Sequence, residues 1–274
     1  MTAEPTKTAP RATESGHWYD REGNLIEQVL KADGKGYTKP TIVHARKLDL
    51  CPGVTTIIKA AAKPDLTLWL QRQAILAALT LPRLDGETEA SWLQRVEEDM
   101  QSTARKAAEE GTRIHAAVER AITGQDFDPA YSGHVVGVRK ALLDNTPPAF
   151  AQGWNAERSG VSRLGFATKA DLYNEQAGIL LDMKGKDGGV DDFADLKLYD
   201  EHPMQLWATA QVLPRVERAG IMFVSRTHPG ICQIVWCEPE KLERGRRMFL
   251  PLLCYWQAKN KHCPTWANKV EVNL

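Results

Sequence analysis

ILLDMKGKDG occupies residues 179–188. Three aliphatic residues suited to a buried strand run straight into Asp182, and Lys184 follows two places on. Along an extended strand, side chains at i and i+2 point to the same face. Asp182 and Lys184 therefore project together, with Met183 on the opposite face. One reading is an ordinary ion pair at a strand end, worth little if exposed. The other is a metal ligand beside a catalytic base.

The flanking sequence supports a small sheet. WNAERSGVS, GFATKADLYN and GILLDMKGK read as three short strands separated by turns that contain glycine. Asp is depleted in strands, so Asp171 in the second of them stands out. It serves either a site or the turn at 174–175. Glu157 in the first strand is either part of the same site or an exposed edge-strand charge. IMFVSRTH and ICQIVWCE read as a hairpin around Pro229 and Gly230.

Helical patterns surround these strands. LTLWLQRQAILAAL is helical by apolar spacing, and a long helix is expected over 87–123, ended by Gly124. Within it, Ile114, Val118 and Ile122 recur every fourth residue as a buried stripe, with His115 and Glu119 one turn apart beside it. Gly111 would let another backbone approach closely. His115 is either a half-buried histidine satisfied by Glu119 or a ligand. Another helix precedes the turn at 145–148. MQLWATAQVLPRVERAG reads as helix, as does EPEKLERGRRMFLPLLCYWQAKN with Pro251 bending it. Trp69, Trp92 and Trp207 fall in helical patterns and read as core. Ahead of these, HWYDREGNLIEQVL suggests a hairpin turning at 22–24, 31–39 a Gly-rich loop, and CPGVTTIIKAA a new element capped by Thr55 or Thr56. The connection 191–201 is polar and acidic. The expected architecture is α/β: a mixed sheet flanked by helices, with a disordered tail at 1–16 and one domain over 17–274. The hairpin and helices of 17–110 form an N-terminal elaboration of a core at 111–274.

Charge and composition narrow the function classes. The net charge is zero over 274 residues, so the total says nothing about nucleic acid. The distribution says more: 171–201 is about three to one acidic, and 215–274 about two to one basic. That asymmetry suits a metal site beside a polyanion track, or a merely heterogeneous surface. No run of about eighteen apolar residues marks a membrane span. The polar N-terminus lacks the apolar core of a secretory signal. Five cysteines without a CxxC pair suggest reduced thiols in a cytoplasm. The loop 187–195 lacks the order of an EF-hand.

Taken in order, Gly111-Thr112-Arg113-Ile114-His115 with Glu119, then Asp171, then Asp182-Met183-Lys184 resembles the PD-(D/E)XK nuclease superfamily, specifically its RecB-type and phage or prophage exonuclease branch. Gln205 in MQLWATA matches the glutamine of the helix that follows there, and PGVTTII resembles a stretch near the start of phage exonucleases. Thr209 stands where the family often carries an aromatic residue. The resemblance covers roughly 18–210. It implies a restriction-endonuclease-like core and a metal-dependent DNA exonuclease of phage or prophage recombination, replication or repair. His115, Asp171, Asp182 and the Met183 carbonyl would hold Mg²⁺ or Mn²⁺. Lys184 would orient or deprotonate the attacking water, with a lowered pKa in the second role. Glu157 and Gln205 would join the catalytic set. Arg113, Lys169, Arg244, Arg246 and Arg247 are the candidate DNA contacts. The implied setting is the cytoplasm of a bacterial or phage-infected cell, with DNA and a single-strand annealing or recombination protein as partners. Oligomeric state stays open. The alternatives are a structure-specific endonuclease of the same fold and a catalytically silent DNA-binding subunit. An iron–sulfur variant needs a closer cysteine trio than Cys232, Cys237, Cys254 and Cys263 provide.

Overall fold

The computed structural model describes residues 16–268, so the tail expected at 1–16 lies, but for Gly16, outside the described residues. The elements run β1 (Trp18–Tyr19), β2 (Val29–Leu30), β3 (Tyr37–Thr38), α1 (Ile42–Leu48), β4 (Cys51–Pro52), α2 (Val54–Ile58), α3 (Pro64–Thr80) and α4 (Glu89–Ile122). They continue with α5 (Ser132–Asn145), β5 (Trp154–Ser162), β6 (Phe166–Asn174), β7 (Ile179–Lys186), α6 (Val190–Ala194), α7 (Glu201–Ala210), β8 (Arg218–Ser225), β9 (Cys232–Trp236) and α8 (Pro239–Asn260). Among the described residues no helix is long and apolar enough to cross a membrane.

Five strands form one mixed sheet in the order β5-β6-β7-β8-β9. The β7–β8 pair is parallel and the other neighbours are antiparallel. A parallel pair needs a crossover, and α6 and α7 provide it. β7 reads ILLDM because its first half is buried on both faces. On one face Leu172, Leu181, Met183 and Val224 meet Ile114 and Val118 of α4 and Val135 and Val138 of α5. On the other, Leu180, Tyr173, Ile221 and Phe223 meet Leu206 of α7. α8 lies outside α7. The two approach so closely that a Cβ at Gly245 would sit 2.3 Å from the Pro203 carbonyl oxygen. Trp18, Val54, Ile57, Phe166, Phe249 and Trp256 form a further cluster that joins the N-terminal segment to α7 and α8.

Several expectations are corrected. The stretch 31–39 contains β3 and closes a small hairpin with β2. Thr55 and Thr56 lie inside α2, whose N-cap is Gly53 with no side-chain bond. The acidic connection carries α6 and ends as Glu201 opens α7. α7 stops at Ala210, because residues from 218 pair in parallel with β7 and are drawn into the sheet. The helix expected over 87–123 is α4, which runs unbroken from Glu89 to Ile122. A Cβ at Gly111 would meet nothing within 4 Å, so no other backbone approaches there among the described residues. Trp69 is exposed rather than core.

Candidate active site

The β6–β7 ladder is short. It holds Asn174↔Ile179, Tyr173↔Leu180 and Leu172↔Leu181, and then the strands part. The β7–β8 ladder continues to Lys186↔Ser225. The last part of β7 therefore has one open edge, and Asp171 fills its beginning: the Met183 N–H donates to Asp171 Oδ2 at 2.7 Å. A side-chain oxygen thus accepts the bond that a strand carbonyl would otherwise take.

The backbone around Asp171 explains how it gets there. The β5–β6 register passes from Ala156↔Leu172 to Arg158↔Ala170, which leaves Glu157 and Asp171 facing each other at an interrupted rung. Glu157 has φ +59°, the left-handed region that side chains rarely adopt. Residues 170 and 172 of one strand ordinarily share a face. Here Ala170 packs on the α7 side and Leu172 on the α4 side. The alternation reverses at Asp171, and the strain of one residue at Glu157 is worth roughly 1–3 kcal/mol.

From α4, His115 Nδ1 lies 3.7 Å from Asp171 Oδ2. Ile114 and Val118 bury the helix beside it, which fixes His115 on the half-buried flank. Asp182 and Lys184 project to the α7 side, as i,i+2 geometry requires. Gln205 Nε2 donates to Asp182 Oδ1 at 2.5 Å, and Lys184 Nζ donates to Gln205 Oε1 at 3.3 Å. Lys184 Nζ also pairs with Asp182 Oδ2 at 2.8 Å. That oxygen belongs to a carboxylate only 6% exposed, so the ion pair is largely shielded from water.

Electrostatics follow from this crowding. Burial first, and Asp182 second, push the Asp171 carboxyl from 3.8 up to about 6, against the pull of His115, the Met183 N–H and Lys184. Burial is the largest influence on Lys184 and acts downward. Asp182, Asp171 and Glu201 together outweigh it, so the ammonium is held above its ordinary value. With Asp182 and Asp171 beside it, Lys184 is held as a cation.

The structure brings five of the expected residues to one place: His115, Asp171, Asp182, Lys184 and Gln205. It does not close three of them round one point, since among the described residues no three His, Cys, Asp or Glu side chains form a ready metal cage. His115 meets Asp171 from the α4 side, while Asp182 is tied to Gln205 and Lys184 on the α7 side. Met183 enters through its N–H. Glu157 turns to Lys169 in an ion pair instead of joining the group. The candidate DNA contacts are engaged by acids: Arg113 by Glu109 and Glu110, Arg244 by Asp200, and Arg246 and Arg247 by Glu243.

Two neighbours of the site are missing from the sequence expectation. Glu201 pairs with Lys63 at 3.0 Å and adds to the negative field on Lys184. His202 is buried, accepts from the Tyr199 N–H on Nδ1, and packs edge-on against Phe223, the residue across the ladder from Lys184. Burial, then Lys184, lower its pKa, so it sits there neutral. The signal was present as Glu201-His202-Pro203, since proline is tolerated in a first helical turn. Thr209 bonds Thr168 of β6 at 2.9 Å in the core, which gives a packing reason for its place on α7. No protein-family model matches the chain, and no curated protein matches it in sequence.

Proposed function

We propose that the chain is a metal-dependent deoxyribonuclease of exonuclease type on a restriction-endonuclease-like core. The observation that carries this reading is the meeting of one imidazole, two carboxylates, a lysine and a glutamine from α4, β6, β7 and α7, at the point where β7 leaves β6.

The donor set fits Mg²⁺ or Mn²⁺. Asp182 offers a buried carboxylate whose Oδ2 faces the Lys184 ammonium, Asp171 adds a second carboxylate, and His115 softens the site enough to favour Mn²⁺. His115, Asp171, Asp182 and the Met183 carbonyl are the residues that would hold the ion. When bound, it supplies charge neutralisation for a phosphodiester and makes a water more acidic.

The chain's own groups do the rest. Gln205 fixes the Asp182 carboxylate, so that its other oxygen keeps one direction. Lys184, held protonated, donates to the attacking water or to a phosphoryl oxygen, and so orients the reactants before it moves any proton. Asp171 links its strand to β7 through Met183, which keeps the two carboxylates at a set spacing. Arg244 and Arg247 lie near Asp200 and Glu201, at the start of the helix that carries Gln205.

A second reading is a DNA-binding subunit without catalysis. Digestion of an end-labelled linear duplex in Mg²⁺, Mn²⁺ or EDTA separates the two. Metal-dependent release of nucleotides from an end supports the exonuclease. Cleavage confined to internal or structured sites moves the assignment to an endonuclease. Binding without cleavage of linear, nicked or single-stranded DNA supports the silent subunit.

A further inference from the structure

α3 is apolar on two sides, and the sizes of its side chains are inverted. Its covered positions are Gln73, Ala74, Ala77 and Ala78, of which Ala77 is the buried one. Its large residues Leu68, Trp69, Ile75, Leu76 and Leu79 face water, each between 40% and 75% exposed. Leu68 and Ile75 are seven apart, as are Trp69 and Leu76, and Leu79 follows Ile75 by four, so all five share one side of the helix. With Leu70 on the covered side 37% exposed as well, the large apolar residues of this stripe have their partner elsewhere.

The rest of the hairpin points the same way. α3 rests chiefly on α4, and the connection is pinned by the Trp92 indole donating to the Leu81 carbonyl at 2.7 Å and by Arg95 paired to Glu87 at 2.9 Å. Among the described residues, the apolar clusters include none from α3, nor from α4 before Ile114. With Leu84 and Leu93 added, the hairpin leaves roughly 700 Å² of apolar side chain in water, close to the ~800 Å² that each partner gives to a standard interface.

The chemistry of the stripe selects the occupant. A polyanion needs several cations, and α3 carries only Arg72. A helix lying on a lipid surface sets Lys and Arg along its polar face, which α3 lacks. A flat, aliphatic stripe that matches itself suits a two-fold contact. The hairpin also carries exposed acids for Arg72, in Glu97, Glu98 and Asp99 of α4. We propose that α3 packs against α3 of a second copy of this chain, so that two α3–α4 hairpins form a four-helix interface in a homodimer.

Sedimentation equilibrium of the full chain at micromolar concentration tests this. The expected mass is twice 30.5 kDa. Ile75→Glu with Leu79→Glu weakens association by more than about a hundredfold, because it buries unpaired charges, and leaves helix content by circular dichroism unchanged. Val136→Glu, at an equally exposed apolar position on α5, leaves the dimer intact. Should the double variant lose helix, Leu79→Lys alone carries the same test at the most exposed position of the stripe. A wild-type monomer, or a dimer that survives these changes, overturns the proposal. The outcome is independent of whether the chain cleaves DNA.

Discussion

Ile179, Leu180 and Leu181 are laddered on both sides, to β6 and to β8, whereas residues 182–186 keep only β8. The first three are fully buried and aliphatic; the next five include an aspartate and two lysines. The difference lies in the neighbour, not in β7 itself. Where β6 stays close, every backbone group is paired and only apolar side chains fit between the helix layers. Where β6 turns away at Asp171, an edge opens inside the sheet, and polar side chains reach both the backbone and one another. Apolar packing and polar contacts are divided within eight consecutive residues.

Substitutions in the two halves should therefore fail in different ways. The largest effect is expected from Lys184→Ala: loss of hydrolysis by about a thousandfold or more, near 4 kcal/mol in barrier, read as the rate of nucleotide release in Mn²⁺. Leu181→Ala should do the reverse. It should cost about 3 kcal/mol of stability in urea unfolding, through the cavity it leaves, and change the rate per folded molecule little. A variant at Leu181 that kept full stability yet lost activity would break the comparison.

Asp171 sits at the divide, and its two duties oppose each other. Its carboxyl titrates near 3.8 when unfolded and at about 6 when folded. Between those values the folded chain holds more of the proton, so stability falls as pH rises through that window and is level above it. Asp171→Asn should stabilise the metal-free protein at pH 7 by about 1–2 kcal/mol while removing activity. Thermal melts at pH 4 and pH 7 check the sign, because the gain should shrink at the lower pH. Glu157→Gly should relieve the left-handed residue and stabilise by about 0.5–1 kcal/mol, less whatever the Lys169 pair contributes. The smallest effect belongs to Arg246→Ala. Its pair with Glu243 lies in water, so the thermal melt should barely move, and DNA affinity should fall uniformly across sequences.

Much of this arrangement is legible in the sequence. Strands β5, β6 and β7, the β8–β9 hairpin and helices α3, α4, α5 and α8 follow from alternation, apolar spacing and Gly-Pro punctuation, all local signals. The gathering of His115, Asp171, Asp182, Lys184 and Gln205 follows from motif order. What escaped is what distant partners decide. Glu157 looks like an ordinary strand residue, and its left-handed backbone shows only opposite Asp171. The end of α7 is set by β8 pairing with β7, which no spacing in VLPRVERAG announces. Trp69 lies in a helical pattern, but periodicity cannot say which of two apolar sides is covered. The pKa of Lys184 depends on Asp182, Asp171 and Glu201 together, from three elements.

The most direct test of the divided strand is a Mn²⁺ titration of the wild-type chain beside Asp182→Asn, followed by the paramagnetic signal of free ion. The account predicts saturable binding to the wild type and its loss in the variant, with the fold unchanged by circular dichroism. Equal binding by both chains, or none by the wild type, would contradict the assignment of β7's open half as a metal site.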